Sequence, residues 1–231
     1  MATFNPVTSR PIVLSPSVEA QVYGLFALAM GLSVAGVLIG IQFANQLLTT
    51  GMAFLFVIVE FAIILTSRWW MERSPLNYLL FGVFPLLSGI TVTPYILYVL
   101  IGYANGASIL INALVATTFM AAASAVLART LQWNLAGMGR SLMIGVIGLI
   151  ALGVLQIIFP GLRTGPAELI VSGLGIVIFA LFLAFDIQRI QQMARVGANP
   201  FLMALSLYLD IFNLFLYVLR FMLALSGNRR R

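Results

Sequence analysis

The sequence contains no cysteine and no histidine, and all 12 of its basic residues are arginine, so lysine is absent too. Without Cys or His there is no ligand set for structural or catalytic zinc, no thiol nucleophile, no His-based catalytic triad and no histidine ligand for haem. Without lysine there is no retinal Schiff base, which removes the rhodopsins from the seven-helix candidates. Charge is scarce as well, at 8% of residues. These absences exclude most common enzyme chemistry, so the chain is read as a non-enzyme with no resident cofactor. Any proton sensing falls to carboxylates.

What is abundant is apolar surface. Hydrophobic residues make up 62% of the chain and the mean hydropathy is +1.10, against about 45–50% apolar residues in soluble proteins. This composition defines an integral membrane protein. Pro6, Pro11 and Pro16 punctuate a short N-terminal arm, 1–17, which has no apolar core and is neither a spanning helix nor a cleavable signal. With about 20 apolar residues needed to cross roughly 30 Å of hydrocarbon, seven helices are expected, near 18–44, 51–70, 76–101, 107–130, 138–159, 166–191 and 200–225. Turn-forming stretches separate them: NQLLTTG, MERSP, GYANGA, QWNLAGMG, PGLRTGP and RVGANP. The loops are short, so 18–225 reads as one transmembrane domain, followed by a basic tail at 226–231. Small residues in MAAASA (120–125) and SGLG (172–175) are read as helix-packing positions.

The net charge of +6 does not point to nucleic acid, because the arginines are scattered between apolar segments rather than gathered on one face. They fit membrane orientation better. A cytoplasmic N-terminus places Arg10, Arg68, Arg73, Arg129, Arg140, Arg189 and Arg195 inside, with Arg163 on the only outward loop that carries an arginine. The loops around Arg73 and Arg195 should then share the cytoplasmic side. The tail arginines Arg229, Arg230 and Arg231 oppose this assignment. A re-entrant last segment or a tail threaded back would reconcile them.

Three of the six acids, Glu19, Glu72 and Glu168, fall near helix ends, where solvation or capping accounts for them. The other three are deep. Glu60 lies in FVIVEFAII, Asp186 in LFLAFDIQRI and Asp210 in the middle of the last helix. An ionisable group at membrane depth costs at least about 2.5–3.5 kcal/mol, so its default reading is functional. Asp186 and Asp210 are each twelve residues from Ala198, in the turn joining their helices. An antiparallel pair therefore brings them to a similar depth, where two carboxylates cannot both ionise cheaply and would share a proton.

Ser206, Asp210, Asn213, Tyr217 and Arg220, spaced 4, 3, 4 and 3, form one polar stripe down the last helix. A polar stripe avoids lipid, which places the seventh helix centrally. A hydrogen-bonding seam that only joins helices is the alternative for the stripe, and a surface ion pair with Arg189 is the alternative for Asp186.

The segments VEFAIIL (59–65), SGITVTP (88–94), FDIQRI (185–190) and MALSLYLDIFNLF (203–215), in this order, resemble the Bax inhibitor family, also called the transmembrane Bax inhibitor motif family. The resemblance implies a seven-helix fold with a central last helix and a pH-sensitive calcium leak, in which Asp186 and Asp210 form a proton-sensitive latch. It matches Glu60 to the family's second-helix acid and makes Arg68 and Arg73 the candidates for a basic latch partner. Ser206, Asn213 and Tyr217 would support the ion pathway. Calcium, as permeating ion, would meet Asp186 and Asp210 transiently, since calcium prefers six to eight oxygens and the site offers few.

Two other functions compete. Intramembrane carboxylates also serve proton-coupled transporters, although no clear repeat or broken-helix pair is present. The family resemblance also allows a regulatory protein that binds a membrane protease or a cell-death partner. An intramembrane aspartyl protease is disfavoured, because Asp186 follows LAF and Asp210 follows LYL rather than Gly-x-Gly. The expected setting is a bacterial plasma membrane, with lipid, calcium and protons as the partners.

Overall fold

The computed structural model describes residues 17–130, 135–193 and 199–227. Most of the N-terminal arm, Arg195, the turn around Ala198 and the arginines of the tail lie outside these residues. The described residues form α1 (Val18–Gln42), α2 (Ala44–Thr49), α3 (Met52–Leu65), α4 (Ser67–Trp70), α5 (Leu76–Gly102), α6 (Gly106–Thr130), α7 (Gly139–Ile158), α8 (Gly165–Met193) and α9 (Pro200–Ser226), with 3-10 turns at Leu135–Met138 and Pro160–Leu162. The protein is all-helical. Six helices, α1 and α5 to α9, are long and apolar enough to cross a membrane.

The second expected span differs from its continuous reading. α3 is only 14 residues long and stops at Thr66. Local chemistry explains the stop. The Thr66 hydroxyl donates to the carbonyls of Ala62 (2.6 Å) and Ile63 (3.3 Å), and the Trp70 indole N–H also donates to the Ile63 carbonyl (2.9 Å). Side chains have thus taken the acceptor that would have carried the helix onward. At the other end, Gly51 adopts a left-handed φ of 70°, which separates α3 from α2.

Caps fix two entries. The Ser17 side chain accepts from the Ala20 N–H (3.2 Å) at the start of α1. Asn199 does the same for α9, accepting from the Phe201 N–H (2.9 Å), with Pro200 at the first helical position. The Asn199 amide also donates to the Met71 carbonyl (3.0 Å), tying the start of α9 to the connection between α4 and α5. Beside this tie, Phe201 packs edge-on against Tyr78 and Phe81.

Two helix pairs dominate the packing, α1 with α5 and α8 with α9, and α9 also touches α1, α5 and α6. The α1–α5 contact is backbone-close. A Cβ on Gly36 would lie 2.1 Å from the Leu86 carbonyl oxygen, and one on Gly89 would lie 2.0 Å from that of Ser33. Small residues drive such approaches where lipid supplies no hydrophobic force between helices. The SGLG reading holds in α8, where Ser172 and Gly175 are buried and a Cβ on Gly175 would strike the Tyr217 ring.

Candidate functional site

The inward faces of α8 and α9 are set by helical spacing. On α8, Phe179, Leu183, Ile187 and Ile190 are buried; on α9, Met203, Leu207, Leu214 and Val218 are buried. Asp186 and Asp210 fall on these same faces and are themselves buried, at 3% and 6% exposure. The two carboxyls face each other across the helix pair, with Ser206 beside Asp186. Their equal distance from the turn is therefore met by a real juxtaposition. Oδ2 of each aspartate is buried without a hydrogen-bond partner.

The surroundings of the pair come from three directions. Arg189 Nη1 lies 3.8 Å from Asp186 Oδ1, but its side chain is 42% exposed. At that distance and exposure it is a weak surface partner rather than a neutralising one. Gln188 was not singled out by the sequence, yet it anchors this part of α8: its Oε1 accepts from the Leu135 N–H (3.0 Å), and its Nε2 donates to the Ala128 carbonyl (3.1 Å). Those bonds hold α8 to the end of α6 and the following 3-10 turn. Of the candidate basic partners, Arg73 lies over the Trp69 ring, 4.3 Å from its centroid, and neither it nor Arg68 pairs with an aspartate among the described residues.

The rest of the α9 stripe divides by role. Asn213 bonds back to the Leu209 carbonyl of its own helix (2.8 Å). Tyr217 stacks on Phe179, with 5.6 Å between ring centroids. Arg220 donates to Glu168 of α8 and to the side-chain Oε1 of Gln156 on α7, while the Gln156 side-chain Nε2 donates to Glu168 (3.2 Å). Glu168, expected to be a solvated acid at a helix end, is thus the centre of a three-helix clamp. The stripe ends on this ion pair, which the polar Gln156 within VLQIIF joins.

Glu60 joins a separate polar seam. Its Oε1 accepts from the Thr91 hydroxyl of α5 (2.9 Å), and Ser88 lies close by. Tyr208 of α9 reaches the same seam, its hydroxyl 2.9 Å from the Ser33 hydroxyl of α1. Glu60 therefore meets α5, not the stripe that carries Asp210. Among the described residues no three Asp, Glu, His or Cys side chains converge as a metal site. The aspartate pair alone offers fewer oxygens than calcium prefers, a set suited to brief contact.

A helical membrane protein with two carboxyls buried face to face between its last two helices is a narrow class. Comparison with known proteins identifies the family. The family model for "Inhibitor of apoptosis-promoting Bax1" covers residues 16–228, and the chain belongs to that Bax inhibitor family. Three bacterial relatives match along most of the chain. It is 28% identical over 210 residues to an uncharacterized protein of Campylobacter jejuni, covering 90% of this chain and 88% of the relative. It is 26% identical over 237 residues to an uncharacterized protein of Borreliella burgdorferi, covering 96% of each. The inner membrane protein YbhL of Escherichia coli is 26% identical over 227 residues, covering 91% of each.

Proposed function

We propose that this multi-pass membrane protein is a pH-sensitive calcium leak channel in which Asp186 and Asp210 share one proton and latch α8 to α9. The observation that carries the reading is the facing pair of buried carboxyls, each with an oxygen lacking any donor. A single proton between them supplies that donor and removes one of two like charges from apolar surroundings. Loss of the proton leaves repulsion across the helix pair. Calcium would meet the ionised carboxylates only in passing. The test is calcium flux from liposomes containing only the purified protein, followed across pH. A channel leaks without any partner. A silent protein would transfer the function to a protein-binding role, and flux that requires a proton gradient would mark a transporter.

The topology belongs to the same reading. α3 and α4 together, Met52–Trp70, serve as the seventh span, and the N-terminus is cytoplasmic. The bond from Asn199 to Met71 supports placing the 71–75 connection and the start of α9 on one side. Cysteine labelling of this naturally Cys-free chain at the two ends of that segment reads the arrangement directly: Arg73→Cys is expected to react from the cytoplasm and Thr50→Cys from the opposite face. Labelling of both from one side would remove α3 and α4 as a span.

Glu60 supports ion passage in this scheme. Glu60→Gln keeps an acceptor for the Thr91 hydroxyl but removes the charge. It is expected to change calcium flux while leaving thermal stability near that of the unsubstituted protein. Unchanged flux would reduce Glu60 to a structural residue.

A further inference from the structure

A cleft of about 960 Å³ opens at the end of the bundle remote from the aspartates, where α5, α7 and α9 finish and α8 begins. Its volume is in the range of small-molecule sites. Tyr95, Tyr98 and Tyr103 line one wall, with Tyr98 set edge-on to Tyr103 at 5.9 Å. The opposite wall carries two guanidiniums, Arg163 and Arg220, against the single carboxylate of Glu168. Glu168 is held by Arg220 and Gln156, so its charge is already matched. Arg163 is exposed and its side chain has no partner among the described residues. The cleft thus has an excess of positive charge, which selects an anion over a cation.

The depth and the side opening narrow the ligand further. Tyr103, Arg163 and Gly227 lie at or just beyond helix ends, the level at which a spanning bundle meets lipid headgroups. Ile157 also lines the cleft, yet it is 70% exposed, and it continues a stripe of Val154, Ile150 and Ile147 down the outer face of α7 at spacings of 3, 4 and 3. The charged cleft is therefore continuous with an apolar track of helical pitch. We infer that this cleft binds an anionic phospholipid, its phosphate at Arg163 among the tyrosines and an acyl chain along Ile157, Val154 and Ile150. A planar guanidinium matches phosphate oxygens bidentately. Tyrosine combines an apolar ring with a hydroxyl that suits the interface.

Native mass spectrometry of the detergent-purified protein, titrated with phosphatidylglycerol or with phosphatidylcholine of the same chains, tests the assignment. Phosphatidylglycerol is expected to bind in preference to phosphatidylcholine. Arg163→Gln should weaken it about tenfold, the scale of one lost hydrogen-bonded contact to a charged group. Arg140→Gln, at the other end of the bundle, should leave it unchanged. Ile157→Asp, which puts a charge on the acyl track, should weaken binding independently of Arg163. Soluble glycerol phosphate should compete poorly. Equal retention of both lipids, undiminished binding by Arg163→Gln at unaltered thermal stability, or full displacement by glycerol phosphate would each overturn the lipid assignment, the last in favour of a soluble phosphate ligand.

Discussion

Asp186→Asn and Asp210→Asn are each expected to flatten the pH dependence of calcium flux through the reconstituted protein across about pH 5 to 8. Asparagine keeps the shape of aspartate and removes its titration, so the helices still pack while the shared proton is abolished. Both carboxyls are buried on facing helices and each has an unpartnered Oδ2, so removing one leaves the other with nothing to share. The double variant should add little to either single one, because members of one coupled unit are not additive. Arg189→Gln provides the contrast. Its guanidinium is 3.8 Å from Asp186 but 42% exposed, and its loss should leave a pH response close to that of the unsubstituted protein. A full pH response in either asparagine variant would show that the pair is not the sensor.

Gly89→Ala should destabilise the fold by about 1–3 kcal/mol, the usual penalty for overpacking a close contact. The added methyl would lie 2.0 Å from the Ser33 carbonyl oxygen and 2.9 Å from the Val37 nitrogen. Those are backbone atoms of α1, which cannot swing aside as a side chain would. The whole α1–α5 pair must part to admit the group, and that contact is one of the two largest in the bundle. Gly148→Ala on α7 is the matched control, since nothing lies within 4 Å of its Cβ position. There alanine should be neutral or stabilising by up to about 1 kcal/mol through helix propensity. Thermal unfolding midpoints of the purified variants decide the matter. Equal midpoints for the two would refute the close approach of α1 and α5.

The long helices were legible because each is an apolar run bounded by turn chemistry, and six of the seven expected segments have described counterparts within a few residues of their expected ends. The aspartate pair was legible for a different reason: counting twelve residues either way from one turn fixes relative depth in an antiparallel pair. The break at Thr66 was not. It depends on the Trp70 indole reaching back seven residues to the Ile63 carbonyl, and hydropathy does not register a carbonyl's choice of donor. The pairing of Glu168 with Arg220 and Gln156 joins three helices. Periodicity places a residue on a face but does not say which neighbour that face meets. For the same reason the depth of Glu60 was legible but not its partner, Thr91 on α5.

The clamp of Glu168, Arg220 and Gln156 constrains how α8 and α9 move apart. Glu168 and Asp186 are 18 residues apart on one helix, about 27 Å at 1.5 Å per residue. At one end α8 and α9 are thus tied to each other by an ion pair and to α7 by two hydrogen bonds. The other end carries the chain connection between the two helices, the Gln188 anchor and the Asn199 bond to the Met71 carbonyl. A pair held at both ends cannot slide lengthwise without breaking these ties, so the aspartates part only if one set gives way.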